Sequence, residues 1–109
     1  MTFSFSIANK PFSLIKEGKK TIEMRLANKN RNDIKIGDEI ILHSENDELL
    51  VEVINIYHFP TFKELYDFFP KNKLGYADNE ACSYKDMYQY YSKTDIEKYG
   101  VIGFEIKIK

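Results

Sequence analysis

The order of apolar and polar positions in the first quarter of the chain predicts a strand, a short helix and a second strand. Thr2–Ala8 alternates polar and apolar residues, which is typical of a half-buried strand. Pro11 suits the first turn of a short helix, and Gly18 is a natural end for it. Thr21–Leu26 alternates strictly, so it predicts a strand with one apolar face. The opposite, polar face of this strand carries Thr21, Glu23 and Arg25.

The middle of the chain predicts two further strands that are joined as a hairpin. We interpret the polar stretch Asn28–Asp33 as a loop, and Ile36–Asp38 as a turn that leads into the next strand. The two strands are expected over Glu39–His43 and Leu49–Phe59, and the second is long enough to bend. The polar segment Glu45–Glu48 connects them.

The last half of the chain predicts three short helices and a closing strand. The helices are expected over Phe62–Phe69, over Tyr84–Tyr91, and from Thr94 to the residue before Gly100. Capping boxes at Thr61–Glu64 and Thr94–Glu97 mark the first and the third, and Ser83 caps the second. We interpret Lys71–Glu80 as a loop and Val101–Lys109 as the last strand.

This order of elements excludes the regular strand–helix alternation of a doubly wound sheet. We therefore expect an α+β fold, a small and mostly antiparallel β-barrel with helices packed at one side. The first and last strands could pair to close it. With 109 residues, the chain suits one domain over residues 1–109.

Charge is distributed unevenly along a chain whose formal net charge is −1. Residues 1–35 carry eight basic and three acidic residues, a net charge of +5, whereas residues 36–109 carry eight basic and fourteen acidic residues, a net charge of −6. One end could present a positive face to a phosphate. Because the charges of two sequence halves often mix in space, we prefer the interpretation that they mix here.

Several classes of protein and site are disfavoured by what the sequence lacks. No apolar run approaches the ~20 residues of a membrane helix, and the N-terminus has no signal-peptide pattern. A single cysteine gives no disulfide framework, so we expect a cytoplasmic protein with no membrane partner. His43, His58 and Cys82 lack metal-ligand spacing, so neither a metal site nor a cofactor is expected.

The candidate chemistry lies in the segment from Gly18 to Arg25. Lys20 precedes the second strand, and Glu23 and Arg25 project from one face of it. An amine, a carboxylate and a guanidinium held together can bind a phosphate or carbonyl and accept hydrogen bonds from a base. The alternative is an exposed ion pair that contributes well under ~1 kcal/mol to stability.

A group of tyrosines near the C-terminus offers surfaces for stacking. Tyr88 and Tyr91 recur at helical spacing, so we expect them in the core. Tyr90 lies off this stripe and, with Ser92, could reach a cleft. An exposed ring there could stack on a base for ~1–3 kcal/mol.

Five segments together resemble the ASCH domain, a branch of the PUA-like superfamily. They are Gly-x-Lys-Thr-x-Glu-x-Arg over Gly18–Arg25, Ile36–Asp38, Phe62-x-Glu64-Leu65, Tyr90–Ser92 and Tyr99–Val101. The resemblance extends from Ile7 to Ile108. It implies a small barrel with peripheral helices and a cleft lined by the first motif. The implied ligand is RNA, a nucleotide or a modified nucleoside. We expect six residues to bind it, namely Lys20, Thr21, Glu23, Arg25, Tyr90 and Ser92.

The resemblance also implies an alternative in which the cleft is an active site. Some members remove an acetyl group from modified cytidine, with a lysine as base and a threonine as nucleophile, and others bind or cut RNA. Lys20 matches the lysine, whereas Glu23 stands at the position of the threonine. An enzyme of this kind, a ribonuclease or an amidohydrolase, would use Lys20 and Glu23 as acid–base groups. A third hypothesis is an interaction domain whose cleft has no ligand.

Overall fold

The computed structural model describes the backbone of residues 1–109 and every side chain except that of Lys29. The five strands are β1 (Thr2–Ser6), β2 (Ile22–Leu26), β3 (Glu39–His43), β4 (Glu48–Phe59) and β5 (Val101–Ile108). The four α-helices are α1 (Asn9–Lys16), α2 (Lys29–Asn32), α3 (Phe62–Phe68) and α4 (Lys93–Tyr99). Two 3₁₀ helices lie between α3 and α4, the first over Lys71–Leu74 and the second over Tyr84–Gln89.

The strands form one mixed sheet in the order β1-β3-β4-β5-β2. The β1–β3 pair is parallel, with Phe5 opposite Leu42, and the other pairs are antiparallel. The predicted α+β class is confirmed, and the sheet is an open half-barrel. The predicted pairing of the first and last strands is wrong, because β5 already has β4 on one side and β2 on the other. The two edges of the sheet are therefore β1 and β2.

Buried apolar side chains form two clusters that hold the helices against the sheet. The first cluster joins α1 to the sheet, with Phe12 and Ile15 packed near Phe5. The second contains the apolar face predicted for β2 and the buried residues of α3, Phe62 and Leu65. Burial of one such large side chain contributes about 1.5–3 kcal/mol, so these contacts determine where α1 and α3 lie.

Two segments that we interpreted as loops contain short helices. Asn28–Asp33 is not a loop throughout, because the side chain of Asn28 accepts a hydrogen bond from the backbone N–H of Arg31 and starts α2. Lys71–Glu80 begins with the first 3₁₀ helix, which Gly75 ends at a φ of 101°. Pro70 precedes that 3₁₀ helix, while α3 has the predicted capping box of Thr61 and Glu64.

The helices near the C-terminus differ from their predictions in type and in start. The segment from Tyr84 forms a 3₁₀ helix, whose three residues per turn place Tyr88 outward. The prediction that Tyr88 lies in the core is wrong, since it is 37% exposed, whereas Tyr91 packs against the second cluster as expected. The cap of α4 is Ser92 and not Thr94, because the Ser92 hydroxyl accepts the N–H of Asp95 at 3.1 Å.

None of the helices that the structure describes combines the length and apolar character that crossing a membrane requires.

Candidate functional site

The polar face of β2 is turned towards the opening between the two edges of the half-barrel. Arg25 bridges this opening, because its guanidinium donates a hydrogen bond to the carbonyl oxygen of Ser6 in β1 at 3.0 Å. The same guanidinium carbon lies 4.4 Å from the centroid of the Phe5 ring. A single side chain of one edge strand thus contacts both backbone and ring of the other.

Lys20, Glu23 and Arg25 form a buried cluster of charges beneath this bridge. One Glu23 oxygen accepts a hydrogen bond from Arg25 at 2.9 Å, and the other lies 3.8 Å from the Lys20 ammonium. The side chains of Lys20 and Glu23 are only 5% and 6% exposed. The alternative of an exposed ion pair on a solvated strand face is therefore wrong, because segments outside β2 cover both side chains.

The Lys20 ammonium has few partners for a buried cation. Among the described residues its one hydrogen-bond acceptor is the carbonyl oxygen of Leu74, at 3.2 Å. Burial lowers the pKa of Lys20, an effect that the carboxylate of Glu23 opposes and the charge of Arg25 reinforces. An ammonium carries three donor hydrogens, so this side chain can bind a further acceptor.

The first 3₁₀ helix brings that acceptor to Lys20 from 54 residues away in sequence. The backbone N–H of Thr21 donates to the carbonyl oxygen of Lys73 at 3.0 Å, which ties the start of β2 to this helix. Gly75 then lies against the lysine stem, where a Cβ atom would come within 3.2 Å of the Lys20 Cδ. The absence of a side chain at Gly75 therefore makes room for the buried lysine.

A cleft of about 480 Å³ opens over the charged cluster. Residues of α1, β2, α3 and the two 3₁₀ helices line it, and we call it the β2 cleft. Four of the six predicted ligand-binding residues lie along it, namely Lys20, Glu23, Arg25 and Tyr90. Tyr90 is 55% exposed at its rim. Thr21 and Ser92 are not part of its lining, and the Ser92 hydroxyl is engaged at the start of α4.

Sequence reasoning missed three polar residues of the same cleft. The hydroxyls of Tyr66 and Tyr76 lie 2.9 Å apart, and the Tyr76 hydroxyl donates to Asp86 at 2.8 Å. Burial raises the pKa of Tyr66 to about 12. Burial also raises the pKa of Tyr76, as do its hydrogen bonds with Tyr66 and Asp86. No helical or strand periodicity connects these three residues, because they lie in separate segments of the chain.

The cleft offers hydrogen-bonding and charged groups and no ready place for a metal. Across the part of the chain that the structure describes, no three His, Cys, Asp or Glu side chains cluster as metal ligands would. The rim also carries a loose ion pair between Lys10 and Glu80, 3.7 Å apart and well exposed. The arrangement suits a polar ligand that brings its own acceptors and donors.

Comparison with known proteins relates the whole chain to one family. The family model described as the ASCH domain matches residues 5–108. The crystal structure of the hypothetical protein PH0355 aligns at 31% identity with a TM-score of 0.87, covering 100% of both chains. The solution structure of PF0455 from Pyrococcus furiosus aligns at 28% identity with a TM-score of 0.70, covering 99% of this chain and 97% of that one.

A more distant structure agrees in fold. The ASCH protein of Zymomonas mobilis aligns at 15% identity with a TM-score of 0.66, covering 95% of this chain and 65% of that one. Among proteins with curated functions, none matches the chain. The family model covers nearly all of the half-barrel and its helices, including every residue of the buried cluster. The chain therefore belongs to the ASCH domain family.

Proposed function

We propose that the β2 cleft binds RNA or a nucleotide-like ligand, one nucleotide unit at a time. The observation that carries this proposal is the buried cluster of Lys20, Glu23 and Arg25 at a cleft with an exposed tyrosine, Tyr90, on its rim. The volume of the β2 cleft, about 480 Å³, is within the range of small-molecule sites. Membership of the ASCH family, whose resemblance implies such ligands, supports the same conclusion.

Arg25 is the residue that would contact a phosphate or a carbonyl group. Its two hydrogen bonds, to Ser6 and Glu23, both use the same terminal nitrogen. Among the described residues the other guanidinium nitrogens have no hydrogen-bond partner, so they can donate to a ligand. Lys20 would add a second positive charge, in a site where water does not weaken it.

Glu23 has a supporting role in this proposal. Its carboxylate accepts the backbone N–H of Met24 at 3.2 Å and the guanidinium of Arg25 at 2.9 Å. These contacts hold the two cations in place, so its capacity to accept from a ligand is secondary. Thr21 and Ser92 lie outside the lining and have no role in the proposed contact.

The charge of the cleft favours a single unit over a long strand. Its lining contains three cations and three acids: Lys10, Lys20, Arg25, Glu23, Glu80 and Asp86. A surface that follows a nucleic-acid backbone is instead strongly positive, because each phosphate contact releases counterions. We therefore expect short RNA and free nucleotides to compete for the same site, with a shallow dependence on salt.

Binding measurements with matched variants test the proposal. Fluorescence anisotropy would follow a short labelled single-stranded RNA at two salt concentrations, with free nucleotides as competitors. Arg25→Gln should weaken binding at least about tenfold, the value of one lost charge-assisted contact. Tyr90→Ala should weaken it through lost stacking, and because Tyr90 is exposed, its removal should leave the fold intact.

The control is Lys35→Gln, which removes an exposed charge from outside the cleft. It should leave affinity within about twofold, because an exposed charge away from the cleft acts on a ligand only through screened long-range attraction. Equal affinities of wild type and Arg25→Gln would refute binding in the β2 cleft. The absence of any binding would leave the interaction-domain hypothesis as the better explanation.

The enzyme alternative has one observation in its favour, the lowered pKa of Lys20. A buried lysine with a lowered pKa can exist as the neutral amine and accept a proton during catalysis. The RNA recovered from the binding assay would be examined on a gel, and acylated nucleosides would be tested for hydrolysis. In an enzyme, Lys20→Met abolishes turnover while part of the binding remains.

A further inference from the structure

A chain of three hydrogen-bonding side chains crosses the wall of the β2 cleft. Tyr66 belongs to α3, Tyr76 follows the first 3₁₀ helix, and Asp86 belongs to the second 3₁₀ helix. Their oxygens lie 2.9 Å and 2.8 Å apart, in the order Tyr66, Tyr76, Asp86. The two rings meet edge to face with centroids 5.9 Å apart, which holds the hydroxyls in register. All three residues line the cleft.

The carboxylate at one end determines which group donates in each hydrogen bond of this chain. The Asp86 side chain is the acceptor in its contact with Tyr76, and a carboxylate group can only accept. Tyr76 must therefore donate its one proton to Asp86. Because that proton is used, the contact with Tyr66 requires the Tyr66 hydroxyl to donate to Tyr76.

This arrangement determines what the Tyr66 hydroxyl can offer to a ligand. A tyrosine hydroxyl ordinarily adapts, since it can rotate to donate or accept. Here the single proton of Tyr66 is committed to Tyr76, so only lone pairs remain for a ligand. Both hydroxyls keep their protons at neutral pH, because burial raises the pKa of Tyr66 to about 12 and the pKa of Tyr76 still further. The direction of the chain is therefore constant over the physiological range.

We propose that Tyr66 is a specificity-determining acceptor that selects bases with an amino group over bases with a keto group at the same position. This inference rests on the proposed function of the β2 cleft. An amino group donates to the Tyr66 oxygen, whereas a keto oxygen would face it lone pair to lone pair. The keto ligand could bind well only if Tyr66 turned its proton away from Tyr76, which breaks the chain. A hydrogen-bond mismatch of this kind reduces affinity about tenfold.

The test measures affinity as a ratio within matched pairs of nucleotides. Calorimetric titrations would compare cytidine with uridine monophosphate, and adenosine with inosine monophosphate. Wild type should bind the amino member of each pair about tenfold more tightly. Tyr66→Phe removes the acceptor and should bring the ratio close to one. Tyr88→Phe, the same change outside the cleft, should keep the wild-type ratio.

A second variant reverses the direction of the chain without touching Tyr66. Asp86→Lys replaces the terminal acceptor by a donor, so Tyr76 accepts from it and donates to Tyr66. The Tyr66 proton is then free for the ligand, and the preference should fall to one or invert. Because both members of a pair carry the same phosphate, the attraction of the added charge for the phosphate cancels in the ratio. Asp33→Lys, at an exposed position outside the cleft, is the control.

The outcomes separate this inference from the function on which it rests. Nucleotide binding that Arg25→Gln weakens but that shows no amino preference would refute the acceptor role and leave the proposed function standing. A preference that survives in Tyr66→Phe would refute it too, since another group would then select the base. The absence of binding by all four nucleotides would overturn the acceptor role, and the further absence of binding by the short RNA would overturn the proposed function as well.

Discussion

Replacement of Glu23 by glutamine is the sharpest test of the buried cluster. Glu23→Gln keeps the shape of the side chain and removes its charge. Lys20 and Arg25 would then remain as two largely buried cations without the carboxylate that lies 3.8 Å and 2.9 Å from them. The glutamine oxygen can still accept one of the existing hydrogen bonds, so the change is mainly electrostatic.

The expected loss of stability follows from the burial of the group. Breaking a buried ion pair by removal of one partner typically costs about 3–5 kcal/mol. We expect the lower end, about 3 kcal/mol, because the amide retains hydrogen bonds. With a urea dependence of about 1–3 kcal/mol per molar for small domains, the unfolding midpoint should fall by about 1–3 M.

The dependence on pH gives the prediction its direction. Burial holds the pKa of Lys20 below its unfolded value of 10.5, and Glu23 is the group that raises it. Between the folded and unfolded pKa values the unfolded chain binds more protons, so the contribution of Lys20 to stability rises with pH. In Glu23→Gln the folded pKa falls further and this window widens. The loss of unfolding free energy in the variant should therefore be largest near pH 7 and should become smaller as the pH approaches 10.

Urea denaturation of wild type and variants between pH 7 and pH 10 is the assay. Glu97→Gln is the matched control, because Glu97 is exposed on α4 and has no ion pair among the described residues. It should change stability by less than about 0.5 kcal/mol. The buried cluster as we describe it would be refuted if Glu23→Gln lowered the free energy of unfolding by less than about 1 kcal/mol, or if this loss of stability increased with pH.

Two further predictions concern local geometry. Gly75→Ala should destabilise the fold by about 2 kcal/mol, because a φ of 101° is unfavourable for alanine and the new methyl group meets Lys20. Gly18→Ala, also at positive φ but with nothing within 4 Å, should lose less stability in thermal unfolding. Equal losses of stability would contradict the predicted contact between residue 75 and Lys20. Ser92→Ala should cost about 1 kcal/mol in urea denaturation through loss of the α4 cap, whereas Thr94→Ala should cost little. A larger loss of stability in Thr94→Ala than in Ser92→Ala would instead identify Thr94 as the cap.

Local patterns in the sequence predicted the strands well. The alternation of Thr21–Leu26 was enough to place Glu23 and Arg25 on one face, because a strand repeats every two residues. The capping box at Thr61 and Glu64 likewise marked the start of α3. Residues within one turn or one strand carry these signals, so the signals can be recognised without knowing which segment packs against the element.

The errors arose where a local signal competes with a nearby alternative. Ser92 and Thr94 are both good caps, and the choice between them depends on where the chain leaves the second 3₁₀ helix. The exposure of Tyr88 followed from a helix type that the aromatic spacing does not specify. The pairing of β1 with β3 in place of β5 is a contact between distant segments, which a local pattern does not specify.

Local sequence was enough to predict the polar face of β2, most element boundaries and the ASCH motif from Gly18 to Arg25. The burial of Lys20 follows from tertiary contacts, because Leu74 and Gly75 cover it from far along the chain. The meeting of Tyr66, Tyr76 and Asp86 in one cleft follows from such contacts too. The physical reason is that periodicity and caps depend on neighbours in sequence, whereas burial, pKa and the direction of a hydrogen bond depend on neighbours in space.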